Sequence, residues 1–397
     1  MRAFLRAIPV LLVSLSLYIA LQPQRVQSVP LYAARNELMC QSCHFDPNGG
    51  GPRNEFGFNF AKNRHMLTPE DSTSRWEDLT LSNRLGENTP LYFGVNQRFM
   101  LLANQHTDVD RPERLGFFNM ESSIHFAFQP HDKLTLVYTL DGFATGPTNT
   151  VRSKEAYGMI GLPANAYLKA GRIRTPFGLR MDDHTVATRA GFGDFGTGGA
   201  FLPYDPRNPD MGVEVGGDRG RLYGRAAFTN GASSLPVDGH AEAKTIKIGY
   251  NGPHYQNGLS LYDDFLKTGT TPLMRFTRWG YYALAHTGPF AVVGEIAAGT
   301  DENKVMQLKN NLLAGFIELN WSAHRQYNMR GRVDYAELAR DPDPVIRDAN
   351  TFRRYALEGE WVPVPFAELR WALRYVDPKD DTQPDERQAF LQFHFSY

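Results

Sequence analysis

The sequence predicts an all-β membrane fold: a closed outer-membrane barrel of about sixteen strands, preceded by a small N-terminal α-helical plug. Three observations carry this. Apolar and polar residues alternate with a period of two through most of the chain after Pro90. The connections between these segments alternate between tight turns and longer polar loops. No stretch beyond the N-terminus approaches the ~18 apolar residues that a membrane helix needs. Composition agrees, with aromatics at 12% and a net charge of -1 over 397 residues, which offers no electrostatic footprint for a nucleic-acid partner.

The first segment reads as a signal peptide over residues 1–28. Arg2 and Arg6 precede an apolar run from about Ala7 to Leu21, and Val26-x-Ser28 suits signal-peptidase cleavage. The mature chain is expected to begin near Val29, outside the cytoplasm.

Residues 29–89 form the second segment, and "RNELMCQSCH" holds the chain's two cysteines. Cys40-Gln41-Ser42-Cys43-His44 has the spacing that attaches a c-type haem through two thioethers. Two intervening residues let both sulfurs reach one edge of the porphyrin, and His44 supplies the proximal nitrogen to iron. A structural disulfide or a thioredoxin-like pair would account for the cysteines but leave His44 unexplained. Downstream, "GGGPRNEFGFNFAKNRHML" opens with a glycine turn and then places Phe56 and Phe60 on one helical face, suited to pack on a porphyrin. His65 and Met66 end that stretch, and either can be the sixth iron ligand, with His65 preferred. Water is the third alternative. The cofactor-binding set is therefore Cys40, Cys43, His44, His65 and Met66, with His44 and His65 on the metal.

The third segment, 90–397, is the barrel. In "FNMESSIHFAFQ", Phe118, Met120, Ile124, Phe126 and Phe128 alternate with Asn119, Glu121, Ser123 and His125. In "AELRWALRYVD", Leu369, Trp371, Leu373 and Tyr375 face one way, while Glu368, Arg370, Ala372 and Arg374 face the other. "YNMRGRVDYA" and the terminal "AFLQFHFSY" repeat the pattern, with Tyr397 continuing the outward stripe of Phe393 and Phe395. "QPHD", "LPAN", "GGDRG", "HTGP", "SAHRQ" and "VPVP" are read as short periplasmic turns. "ARDPDPVIRDAN", "VDPKDDTQPDE" and the stretch from Arg174 to Asp210 are read as external loops. "MDDHT" offers Asp182, Asp183 and His184 as metal ligands, with a lumen-narrowing loop the preferred reading.

An exported CxxCH segment joined directly to such a barrel resembles the fused outer-membrane cytochrome-porin family, whose iron-oxidising members are its best-known type. The resemblance spans the mature chain and is strongest at "RNELMCQSCH" and "EFGFNF"; "FDPNGGGPRN" departs from it by its glycines. "KAGRIRTPFGL" also looks like phosphate-selective porins. The family likeness implies one covalent haem c, with Cys40 and Cys43 as thioether sites and His44 as proximal ligand. It further implies an extracellular donor such as Fe(II), a periplasmic cytochrome or other small carrier as partner, and outer-membrane lipid around the barrel. Only about twenty-five residues separate His65 from Pro90, so the haem segment is expected to fold into the lumen rather than roam. Lumen-facing Arg330, Arg332, Arg370 and Arg374 would then pair with haem propionates or with acids of the plug.

Three functions stay open at this point. The first is an electron conduit that oxidises an external reductant, in effect an Fe(II)-oxidising outer-membrane cytochrome. The second is a solute porin with a haem-bearing gating or sensing plug. The third is electron export to an external acceptor. Acidic loop tips such as Asp341, Asp343, Asp380 and Asp381 would attract cations.

Overall fold

The computed structural model describes residues 38–65, 67, 81–86, 88–106, 114–142, 152–179, 185–189, 200–231, 243–268, 271–324 and 326–397. The signal peptide, Met66 and the Asp182–Asp183–His184 triplet lie outside the described residues. Two short helices come first, α1 (Cys40–Cys43) and α2 (Glu55–Lys62). Sixteen strands follow, which is the predicted number. They are β1 (Leu91–His106), β2 (Arg114–His131), β3 (Leu134–Asp141), β4 (Arg152–Leu162), β5 (Ala166–Ile173), β6 (Asp210–Arg219), β7 (Leu222–Thr229) and β8 (Ala243–Asn251). The second half comprises β9 (Tyr255–Thr268), β10 (Thr271–Thr287), β11 (Phe290–Asn303), β12 (Leu308–His324), β13 (Tyr327–Glu337), β14 (Thr351–Val364), β15 (Ala367–Pro378) and β16 (Glu386–Ser396). A third helix, α3 (Pro344–Ala349), interrupts the connection from β13 to β14. Each strand pairs antiparallel with its sequence neighbours, and β16 closes on β1 from His106↔Glu386 to Asn96↔Ser396. Closure leaves no sheet edge unpaired, which is what a spanning sheet in hydrocarbon requires.

The six predicted short turns all fall at one end of the barrel, together with the start of β1 and the C-terminus; Gly252–His254 adds a seventh. The opposite end carries the long connections, with two exceptions the sequence did not advertise. β9 runs into β10 between Thr268 and Thr271, and β11 into β12 across a four-residue turn at Lys304–Gln307.

Side chains follow the pleat, but with the inside and outside of a soluble protein exchanged. Leu373, Phe393, Trp279, Trp321 and Trp361 are exposed on the outer wall. Glu318, Asp334, Arg332, Arg354 and Glu358 are buried towards the lumen. Near the short-turn end Phe290 stacks on Trp321 across the β11–β12 pair, with ring centroids 6.5 Å apart, and Trp361 pairs with Tyr327. Aromatic residues at that level form the interfacial girdle typical of membrane barrels.

Two expectations about this pattern are corrected. Phe118 and Met120 do not share a face with Ile124, Phe126 and Phe128. The β1–β2 register slips between Arg98 and Phe99, so that Phe99 faces Asn119, Arg98 faces Glu121 and Met120 is the extra residue. A bulge of one residue transfers everything before it to the other face, and the outward residues there are Leu115 and Phe117, 74% and 82% exposed. The Tyr397 ring does not simply prolong the Phe393–Phe395 stripe either. It packs against Phe58 of the plug and Phe366 of the last short turn, at 5.0 and 5.1 Å between centroids.

Two segments fill the lumen. The connection from β5 to β6 folds inward, burying Phe177, Val186, Ala187 and Phe201. Arg189 holds it by donating to Glu295 at 2.7 Å, and Leu179 N–H donates to the same carboxylate at 2.8 Å. Arg278 Nε adds a bond to the Phe201 carbonyl at 2.8 Å. The N-terminal segment enters from the short-turn end and seats against β5, β6 and β16.

Candidate functional site

The plug is a tight reversal built on glycine. α1 is a single turn, and the chain leaves it extended through His44, which bridges antiparallel to Arg53. Between them Gly49, Gly50 and Gly51 have φ of 84°, 75° and 63°, three successive left-handed residues that only glycine adopts without strain. At Gly50 a Cβ would collide with the Arg174 guanidinium, so the loop lies flat on that side chain. Asn54 then caps α2 by accepting from Gly57 N–H at 2.9 Å. Gly57 is required because α2 crosses α1 there, and a Cβ would overlap the Cys43 carbonyl.

Hydrogen bonds, a buried ion pair and an aromatic stack fix this unit to the barrel. Arg53 Nη1 donates to the Ser396 carbonyl at 2.7 Å, and Asn83 Nδ2 donates to the Arg53 carbonyl at 2.8 Å. Asn48 Nδ2 donates to Glu214 at 2.8 Å. Lys169, fully buried, sits 3.1 Å from Asp46 and 3.2 Å from Glu214. Burial alone would raise the Asp46 pKa, but the Lys169 ammonium overrides it and holds the carboxyl below its ordinary value. Phe58 is 2% exposed and lies 5.0 Å from both Phe366 and Tyr397.

No disulfide joins Cys40 and Cys43. Burial, reinforced by the neighbouring Cys40, pushes the Cys43 thiol up to about 11. Burial, with Arg53 and Arg174 beside it, lowers His44 to about 4. Its Nδ1 is enclosed without a hydrogen-bond partner. Burial, then Arg53, His394 and Arg370, lowers His65 to about 3. Both imidazoles are thus neutral at ordinary pH, the form that binds a metal.

Not every predicted site residue is where the sequence suggested. Phe60 is buried and stacks on Phe56 at 6.5 Å, yet Phe56 is 44% exposed, and the best-buried ring of α2 is Phe58. Arg330, Arg332, Arg370 and Arg374 do face the lumen, but their partners are acids of the wall. Arg330 and Arg374 share Glu358 at 2.6 and 2.9 Å, Arg332 holds Asp334 at 3.0 Å, and Arg370 holds Glu360 at 3.1 Å. The plug's own buried acid, Asp46, is taken by Lys169. Among the external acids, Asp343 caps α3 and Asp380 accepts from Thr382.

A cavity of about 750 Å³ runs beside the plug, lined by Met39, Cys40 and His44 on one side and by the barrel wall on the other. Two wall histidines that sequence reasoning did not single out also line it. His125 Nδ1 lies 3.0 Å from Thr139, and His394 Nε2 lies 2.7 Å from Asn96. Both sit at lumen-facing positions of alternating strands, and that parity is the signal that could have found them.

The donor set fits a covalent haem: two thiols one helical turn apart, a neutral imidazole on the next residue with an enclosed unpartnered nitrogen, and an adjoining cavity. Among the described residues no three His, Cys, Asp or Glu side chains are grouped to hold a bare metal ion.

No protein-family model matches the sequence, and no curated protein matches it. Solved structures of porins do resemble the fold. The anion-selective porin from Comamonas acidovorans aligns with a TM-score of 0.61 at 8% identity, over 77% of this chain and 99% of that one. OmpF of Salmonella typhi, solved with daunomycin, gives 0.56 at 9% identity over 79% and 99%. OmpT of Vibrio cholerae gives 0.54 at 11% identity over 78% and 99%. At such identities the likeness is one of fold: a porin-like sixteen-stranded barrel.

Proposed function

We propose that the protein is an outer-membrane electron conduit, a porin-type wall whose plug carries one covalent haem c, in the manner of the fused cytochrome-porins it resembles. The observation that carries this reading is the seat of the CxxCH turn inside a closed barrel, wedged between the wall and a lumen already narrowed by the β5–β6 connection. When bound, the haem supplies reversible one-electron exchange at iron. The chain supplies everything else. Cys40 and Cys43 present two sulfurs from one turn, His44 offers a neutral nitrogen, and Lys169, Arg53 and Phe58 fix the plug so that the site cannot drift. His65 is the distal ligand in this reading. Electrons would run between an extracellular donor such as Fe(II) and a periplasmic carrier, or in reverse to an external acceptor.

A second reading is favoured by the porin likeness and by the 750 Å³ of lumen left beside the plug: a solute channel whose haem-bearing plug gates flow. One experiment separates the two. Proteoliposomes enclosing an oxidised carrier are exposed to Fe(II) outside, and the haem spectrum is read before and after, alongside solute flux. Reduction of the enclosed carrier without solute flux supports the conduit; solute flux with no carrier reduction transfers the function to the channel.

A further inference from the structure

We propose that Tyr282 and Lys247 of the barrel wall bind a propionate of the haem that the plug carries. This rests on the haem reading above and names the wall's share in it. The four arginines that the sequence offered for that role are held by wall carboxylates, Glu358, Asp334 and Glu360 among them. Another part of the cavity wall has a vacancy in its hydrogen bonding. Tyr282 lines the cavity and is 1% exposed, and its hydroxyl is enclosed without a hydrogen-bond partner. Buried tyrosine hydroxyls ordinarily find one, so this hydroxyl marks a place for an acceptor.

Its position follows from the strand register. Across β7 to β10 one lumen-facing row reads Tyr223, Gly249, Gly258, Tyr282. A Cβ at Gly249 would overlap the Tyr223 hydroxyl, and one at Gly258 the Tyr282 hydroxyl. The two rings therefore lie down over the glycines. Lys247, on the same face of β8 as Gly249, holds its Nζ 5.2 Å from the Tyr282 ring centroid and 6.0 Å from that of Tyr223. Lys247 and Tyr223 are also electrostatic neighbours of Cys40. The phenol and the ammonium thus share a cavity with the thiol that would tether the haem.

Other charges nearby are committed elsewhere. Glu295, opposite Tyr282 on β11, accepts from Arg189 and from Leu179 N–H. Arg225 is held by Asp218 and by the carbonyls of Gly217 and Gly224. The Tyr282 hydroxyl takes part in neither group, and with Lys247 beside it offers the O–H and N–H donors that a carboxylate accepts. Covalent attachment at Cys40 raises the effective concentration of a propionate here, so two donors suffice without any surplus of charge.

Redox-induced infrared difference spectra of the full-length haem protein, together with potentiometric titration of the haem, test this. Tyr282→Phe removes one oxygen and no charge. It should shift the propionate carboxylate band and lower the midpoint potential, because a carboxylate stripped of its donor favours ferric iron. The fall should be about a threefold change in the ferric-to-ferrous ratio at fixed potential, about 28 mV for one electron. Lys247→Met should shift the same band and lower the potential as well, which keeps the test decisive where Tyr282→Phe fails to fold. Tyr262→Phe is the control: that hydroxyl donates to Asp264 at 2.8 Å, outside the cavity lining, and its loss should move neither reading. An unmoved carboxylate band in either cavity variant, or an equal response to Tyr262→Phe, would overturn the assignment and leave the haem reading intact. A protein without covalent haem would overturn both.

Discussion

Both segments that occupy the lumen are polypeptide folded inward, yet they are held in different ways. The β5–β6 connection is tied at both ends to adjacent strands and anchored by enclosed charges, Arg189 with Glu295 above all, over an apolar floor of Phe177 and Phe201. The plug has one covalent tether to the barrel and is gripped chiefly at the rim, by Arg53 on Ser396, by the Phe58–Phe366–Tyr397 stack, and by a single buried ion pair at Lys169. The difference teaches that the first is part of the wall, whereas the second is a separate body seated in it. Removing the first should damage the barrel; removing the second should open it.

The largest expected effect follows directly. Deleting residues 29–77 should leave a folded, heat-modifiable barrel, and its conductance in planar bilayers should exceed that of the whole protein several-fold. Equal conductance would mean that the plug does not obstruct the lumen. Next comes the cofactor. Denatured protein should retain covalently attached haem, and Cys40→Ala/Cys43→Ala should release it to solvent extraction, while extractable haem in the unmutated protein would refute the attachment.

Breaking the wall segment should be nearly as severe but of another kind. Arg189→Met strands the Glu295 carboxylate in the interior and should cost about 3–5 kcal/mol in denaturant midpoint analysis, with the haem spectrum untouched. Phe58→Ala removes a fully buried ring and should cost about 3–5 kcal/mol of plug seating. It should appear as raised conductance and faster proteolysis between residues 38 and 65, and barrel melting should stay where it was. The smallest effect is spectroscopic. With His65 as distal ligand, His65→Ala should turn a low-spin spectrum high-spin while Met66→Ala leaves it unchanged; the reverse result would move the role to Met66.

Much of this comparison was legible in the sequence. Leu369 to Tyr375 gave the outward stripe and its arginine counterface because that strand pairs without a slip over those residues, so period two survives intact. β2 was read wrongly at Phe118 and Met120 because a bulge depends on the partner strand, and nothing within "FNMESS" announces the slip opposite Arg98. The CxxCH spacing and the glycines after it pointed to the site, since both are local. Which charges would meet was not legible. Arg330 and Arg374 chose Glu358 on the intervening strand rather than any plug acid, and that choice rests on the cross-strand register. The stretch from Arg174 to Asp210 was read as an external loop, its inward fold anticipated only in the lumen-narrowing reading of "MDDHT", and its grip by Arg189 on Glu295, 106 residues away, is not written in any local pattern.

Arg53 reaches the carbonyl of Ser396, and Tyr397 exchanges backbone hydrogen bonds with Val95 while its ring rests on Phe58. The seam at which the sheet shuts and the seat of the plug therefore share the same few atoms. The last residues of the chain to be made thus complete the rim on which some of the first are seated.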